Sequence, residues 1–360
     1  MKLPRRATAT LAATALALPL CVAAVAPAAA ATMLVDRGWP AYPPGYGYGY
    51  VDPYASSTSS IDATQASTEQ SSGLVTITSE VDFGQGVAAG TGIVVGSDGI
   101  VVTNHHVVEG ATDIEVTVVT TGATYTAEVL GYNAAKDVAV LKLDGASGLD
   151  TVTTDTSGVV VGDQVTAVGD AGGDGGALTA ASGSVTRLHE PITVSDEQTG
   201  QPHQLVNLIE VDADIIPGDS GGALIDSSGD VVGMNVAASS GSAQITGYVI
   251  PVARVLRIAD KVLAGDDSGA VVLGYDAFLG VSMGDGLTLL GVVGGSAAAR
   301  AGLAAGDTVT SLGGTAVSTQ GQLRRAVGAH DPGDRVRVTW RDQSGTSHTT
   351  YVTLGRAPLA

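Results

Sequence analysis

The chain has 360 residues, enough for about two domains with their own cores plus tails. Only 15% of the residues are charged, and 36 acidic against 17 basic residues give a formal charge of −19, a surface that repels nucleic acid and anionic lipid. The single cysteine, Cys21, excludes an internal disulfide and a cysteine-built metal site.

Residues 1–31 read as an export signal. Lys2, Arg5 and Arg6 form a basic start, Ala7 to about Val25 is apolar, and Ala28 to Ala31 offers small residues for a signal peptidase. Pro19 and the weak apolarity of alanine argue against a lasting membrane span. Ala7-Thr8 follows Arg5-Arg6 where a twin-arginine signal has a large apolar pair, which favours the general secretory route. Leu18-Pro19-Leu20 is a poor lipobox for Cys21. Without Lys2, Arg5 and Arg6 the count is 14 basic against 36 acidic residues, or −22. That charge fits both steering of cationic unfolded polypeptides and plain solubility. Residues 32–72 read as a flexible linker, first Tyr/Gly/Pro-rich (Trp39 to Tyr50), then Ser/Thr-rich. Its six aromatics leave open a docking role on the folded part, on another copy or on a cell wall.

From Leu74 onward short β-rich runs recur between turns: Leu74 to Ile77, Gly92 to Val95, Ile114 to Val119, Val138 to Leu143, Leu205 to Val211, Val231 to Val236 and Tyr248 to Val252. Glycine abundance (50 residues) and this spacing predict an all-β fold of packed barrels over 73–262, with a closing helix at Leu256 to Leu263. His189 to Gln204 reads as a long polar loop, and Gly169 to Gly176 as a flexible turn without the strand–helix context of a phosphate cradle. Gly265 to Gly269 marks a boundary before a second domain, 268–356.

Chemistry concentrates in Pro217-Gly218-Asp219-Ser220-Gly221-Gly222. A serine between glycines can expose its hydroxyl and leave backbone N–H groups for a developing oxyanion. Upstream, Thr103-Asn104-His105-His106-Val107-Val108 offers a histidine base between two valine-rich runs, and Asp137 heads Asp137 to Leu143. If the histidine pair sits on a strand, only one of the two faces the cleft. The order His106, Asp137, Ser220 is that of chymotrypsin-like double barrels, not of subtilisins or α/β-hydrolases. His189, His203, His330 and His348 are scattered without helix spacing, so neither a metal nor a cofactor is expected.

These blocks resemble the HtrA (Deg-type) serine proteases, a trypsin-like domain followed by a PDZ domain. Gly90-Thr91-Gly92-Ile93-Val94-Val95 through His106-Val107-Val108, Asp137-Val138-Ala139-Val140-Leu141-Lys142, and Asp212-Ala213 through Gly218-Asp219-Ser220-Gly221-Gly222-Ala223-Leu224 carry the likeness, over roughly residues 73 to 356. The resemblance implies a chymotrypsin-like double β-barrel and a His106–Asp137–Ser220 triad. It places the catalytic histidine directly before Val-Val, leaving His105, at a usual asparagine position, for the surface. It implies an oxyanion hole from the N–H groups of Gly218 and Ser220. Asp219 departs from the asparagine usual in HtrA, and is expected to be capped by local N–H donors or water. Asp214 falls where trypsin-like enzymes line the specificity pocket, so two readings stand. An acid there selects Arg or Lys, whereas the family generally cuts after small aliphatics. The other expected pocket residues are Ile215, Asn235, Val236, Ala237, Tyr248 and Ile250.

In the second domain Phe278-Leu279-Gly280-Val281 resembles the carboxylate-binding loop of PDZ domains, whose converging backbone N–H groups hold a peptide carboxylate beside a strand edge open to peptide addition. Ala301-Gly302-Leu303 with Gly306-Asp307 matches a turn of bacterial PDZ domains, and Gln320 to Val327 reads as the helix lining the groove. The implied function is an exported endopeptidase acting on unfolded or misfolded polypeptides, with C-terminal peptides as PDZ ligands. The family is commonly trimeric. The rival is a non-catalytic PDZ adaptor with a vestigial barrel.

Overall fold

The structure is a computed structural model that describes residues 63–359 apart from 82, 84–85, 196–201, 239–245 and 285. The expected export signal (1–31) with Cys21 and the aromatic run of the expected linker lie outside the described residues.

Six antiparallel strands close a first barrel: Leu74–Val81, Gly86–Gly96, Ile100–Thr103, Ala111–Val118, Thr124–Asn133 and Val138–Leu143, with the last two paired to complete the ring. A second barrel is closed in the same way by Gln164–Gly169, Thr179–Ser195, Pro202–Val211, Ala223–Asp226, Val231–Ala238 and Gly247–Pro251. Closure leaves few open edges for an intruding strand. Many of these strands read as continuous apolar runs because both faces are buried. In Val138–Leu143, Ala139, Leu141 and Leu143 fill the first barrel, while Val138 and Val140 turn to a core shared with the second. In Gln164–Gly169, Val165 and Ala167 fill the second barrel, while Val168 joins the shared core. The shared core fixes one barrel against the other, and the functional motifs lie along that seam.

The helix Val252–Leu263 buries Val252, Val255, Ile258, Ala259 and Val262, a three-and-four spacing that lays one face on the shared core. Among the described residues, no helix is long and apolar enough to cross a membrane.

Two stretches differ from the sequence reading. The expected loop His189 to Gln204 is largely an extension of the hairpin between Thr179–Ser195 and Pro202–Val211, with Leu205 opposite Ile192 and Pro202 opposite Ser195. Ile192 and Val194 pack at the edge of the shared core, so alternate apolar residues make a half-buried strand of a polar stretch. Residues 63–72, read as the end of the linker, carry structure too. Thr64–Gln65 pairs with Ala180 and Thr179, and Ser67 and Gln70 form a reciprocal capping box on the helix Thr68–Ser71.

Beyond the barrels, Val281–Met283 pairs with Leu289–Val292, and Thr308–Leu312, Arg335–Arg341 and Ser347–Thr353 form a further sheet. These elements and the helices Ala297–Ala301 and Gln320–Val327 enclose a core that includes Leu279, Ala298, Val309, Leu323, Val338 and Trp340.

Candidate active site

His106 lies on a single helical turn, His105–Val108, that follows Asn104 at the end of the strand Ile100–Thr103. Asp137 is held at the other side by an unusual backbone. It ends the short turn Ala134–Lys136 in the left-handed region (φ 53), its N–H donating to Ala134 O at 3.1 Å. Aspartate tolerates this region better than most residues. Asn104 Nδ2 donates to Asp137 O at 3.0 Å, which ties the two segments together.

Asp137 meets His106 twice. Its Oδ1 accepts the His106 backbone N–H at 3.0 Å, and its Oδ2 lies 2.9 Å from Nδ1. Asp137 is 4% exposed, whereas the His106 side chain is 31% exposed and reachable. Burial pushes the Asp137 carboxyl up, but the charge and hydrogen bonds of His106 outweigh burial and hold it below the usual value. A buried carboxylate on Nδ1 favours the tautomer with its proton on Nδ1, the form in which Nε2 is able to accept one.

His105 is not at the surface. It is 5% exposed and its ring stacks on Tyr132 with centroids 4.6 Å apart. The expectation assumed a strand, in which neighbours point to opposite faces. In a helical turn successive side chains are about 100° apart, so His105 turns into the barrel while His106 reaches the seam.

Ser220 sits in the turn between Ala213 and Ala223, and its Oγ donates to Val236 O at 2.8 Å. The turn is fastened to the first barrel by Thr91, a buried residue whose part the sequence reading missed. Thr91 N–H donates to Ser220 O at 2.8 Å, and Thr91 Oγ1 donates to Gly218 O at 2.9 Å while accepting from Asp170 N–H at 2.9 Å. The clue was its place in Gly90-Thr91-Gly92, where flanking glycines permit close approach. Glycine is also required at Gly221 (φ 81), where a Cβ would lie 2.1 Å from Thr91 O. Replacing Thr91 by valine removes both hydroxyl bonds while keeping the shape. It should lower the unfolding free energy by about 2 kcal/mol, and an unchanged chemical-denaturation curve would contradict this.

Peptide planarity fixes the directions of the two N–H groups expected from the sequence. Pro217 O accepts from Gly172 N–H at 2.8 Å, so the Gly218 N–H points away from the 170–175 loop. Asp219 O accepts from Gly222 N–H at 2.9 Å, so the Ser220 N–H points away from the interior of its turn. The glycine cluster read as a flexible turn is therefore a support for the serine turn.

Behind that turn Asp219 is 5% exposed. Its Oδ2 accepts from Ile216 N–H at 2.9 Å, and Oδ1 has no partner among the described residues. Burial pushes its carboxyl up to about 7, the Ile216 N–H opposes, and the Asp170 carboxyl adds to the rise. Asp170 is itself pushed up by burial, against the Gly175 N–H that donates to it.

The expected pocket residues are placed unevenly. Ile215 is buried in the second barrel, its Cδ1 2.7 Å from where a Cβ on Gly247 would lie. Asp214 is half-buried beside it. The Asn235 side chain lines no open pocket: it is fully buried and donates to Val168 O and Ala223 O at 3.2 and 3.4 Å. Ala237 pairs with Tyr248, whose phenol is pushed up by burial and by the Glu210 and Glu190 carboxylates. In the other domain, Leu279 is buried and Gly280 (φ 83) packs so tightly on Ser296 that a Cβ would lie 2.1 Å from the serine Cβ. Gly280 O accepts from Val293 N–H at 3.0 Å, and Phe278 stacks on Phe83 of the first barrel.

Comparison with known proteins agrees with this layout. Residues 90–234 match the trypsin-like peptidase domain and residues 272–349 the PDZ domain. The serine protease Do-like HtrA of Lactococcus lactis subsp. lactis is 33% identical over 283 residues, covering 73% of this chain and 68% of that one. The chain belongs to the HtrA family of serine proteases. The HtrA layout here is all-β for the most part, a trypsin-like domain followed by a PDZ domain. Serine protease PepD of Mycobacterium tuberculosis is also 33% identical, over 302 residues and 77% of this chain, but the chain spans only 63% of PepD. Among solved structures, the HtrA-type protease AlgW with tripeptide has 24% identity and a TM-score of 0.48, covering 82% of this chain and 99% of that one.

Proposed function

We propose that this protein is an exported serine endopeptidase that cleaves unfolded or misfolded polypeptides. Ser220 attacks the scissile carbonyl, His106 takes its proton and returns it to the leaving amine, and Asp137 orients His106. The N–H groups of Gly218 and Ser220 receive the oxyanion. The observation that carries this reading is the pair of hydrogen bonds that buried Asp137 accepts from His106, across the seam to which Thr91 fastens the serine turn. In the other domain, the backbone N–H groups of Phe278, Leu279, Gly280 and Val281 hold the carboxylate of a peptide C-terminus. Export follows from residues 1–31, and periplasmic relatives such as the DegP-like endoprotease of Rhizobium meliloti support an extracytoplasmic site of action. A homotrimer is the assembly the family suggests.

Specificity favours small aliphatic side chains. Ile215 fills the space beside Gly247, and Tyr248 stands opposite Ala237, which shortens any pocket above Asp214. A peptide with Val before the cut should give kcat/KM at least about tenfold above the Arg peptide. The test combines labelling and digestion. A fluorophosphonate should modify Ser220, located by peptide mass, and cut sites in unfolded casein should follow Val or Ala. Cuts after Arg or Lys would put the Asp214 carboxylate in the pocket; neither label nor cleavage would favour the adaptor.

A further inference from the structure

The helix that carries His106 cannot hold its own orientation. It has one turn, and its N-cap residue Asn104 makes no side-chain cap bond. A helix so short forms only where its surroundings impose it. Its supports include two segments far away in sequence, one at the start of the PDZ region and one at its end.

The first is Val272–Leu273, which pairs antiparallel with Tyr132 and Gly131 of the first barrel; Gly274 N–H then donates to Leu130 O at 2.8 Å. Tyr132, the partner of Val272, is the residue whose ring stacks on His105, next to His106. Tyr275 follows and packs against the first-barrel core. The second segment begins where Gly355–Arg356 pairs with Ala277–Phe278. Arg356 lies over the Tyr275 ring, 5.2 Å from its centroid, and pairs with Glu128 of the first barrel. Ala357 N–H donates to Asp276 O at 2.8 Å. Leu359 then enters the first-barrel core with Val107, Val108 and Ala111 and is 3% exposed. Its carbonyl accepts from the N–H of Gly110, two residues past the end of the helix, at 2.8 Å.

We propose that these two segments form a brace that positions His106, with Leu359 as a positioning residue for the catalytic helix. Backbone pairing with Val272–Leu273 holds the strand whose Tyr132 ring stacks on His105, and Leu359 closes the underside beside Val107 and Val108. The PDZ domain is thereby joined to the segments around the catalytic histidine through backbone pairing on one side and the buried Leu359 side chain on the other.

The brace rests on the serine endopeptidase reading for its effect on rate, so its test includes a readout independent of turnover. Leu359→Ala and Leu359→Met are made in the full chain. Functional sites are counted by fluorophosphonate titration, and kcat and KM are measured on a short peptide. Leu359→Ala should lower kcat per titrated site about tenfold with KM changed less than about twofold, and Leu359→Met should restore most of it. In NMR spectra the His106 Nδ1 proton held by Asp137 should shift or broaden in the alanine variant and return in the methionine variant. Fewer titrated sites with unchanged kcat per site, or an unchanged Nδ1 resonance, would overturn the brace. If the parent protein neither labels nor cleaves, the function reading fails, and the resonance still decides the brace.

Discussion

Asp137→Asn should lower kcat by about 10⁴ near neutral pH while leaving substrate affinity nearly intact. The carboxylate uses both oxygens on one residue, Oδ1 for the His106 backbone N–H and Oδ2 for Nδ1. An asparagine has one oxygen and one NH2 group. If its oxygen keeps the backbone N–H, the NH2 faces Nδ1, and the ring must carry its proton on Nε2, where it cannot accept one from Ser220. If the amide is reversed, the backbone N–H meets another donor and the helical turn loses an anchor. Either arrangement costs the correct tautomer or the orientation of the base. The carboxyl is held below its usual value, so in the parent the pair persists at neutral pH and is lost only as pH falls through the lowered folded-state value. Steady-state kinetics on a short peptide check the prediction, and a loss below about tenfold would mean that Asp137 does not orient the base.

How much of this was legible in the sequence depends on how local each feature is. The histidine, aspartate and serine blocks are short contiguous motifs, and the two-barrel fold follows from strands bounded by glycine turns. His105 was misplaced because two residues of a histidine pair alternate on a strand but not on a helical turn, and Asn104-His105-His106-Val107 carries no strong signal for either. Asn235 was misplaced for a related reason: strand position names the neighbourhood, but not which face a side chain takes at the bulge between Asn235 and Ala237. Thr91 escaped because its partners lie in the serine turn, 127 residues away in the case of Gly218, and Asp170 because it reaches that turn through Thr91. The brace escaped for the same reason. Nothing near Leu359 in sequence says that it belongs beneath Val107.

Asp219 stands where the resemblance implies an asparagine, and its replacement by asparagine should stabilise the protein in a pH-dependent way. The carboxyl is raised from 3.8 to about 7 by burial, with Asp170 adding to it. For an acid so raised, the folded state holds its proton while the unfolded chain gives it up. Below about pH 4 both states are protonated and the residue carries no ionisation penalty. Between about pH 4 and 7 each pH unit removes roughly 1.4 kcal/mol of stability, and above 7 the loss levels off near about 4 kcal/mol. Asparagine carries no charge at any of these values, so the gap between Asp219→Asn and the parent should be about 3 to 4 kcal/mol at pH 8 and less than half that at pH 5. Urea denaturation at the two pH values measures it, and an equal gap at both would place the strain elsewhere. The same charge bears on the reaction. Asp219 lies between the two N–H groups proposed to bind the oxyanion, and its ionisation puts an unpaired Oδ1 charge beside the Asp170 carboxyl under the turn. Turnover in the parent should therefore fall as pH rises above 7, and Asp219→Asn should remove that decline. A parent profile that stays level to pH 9 would show that the turn tolerates the charge.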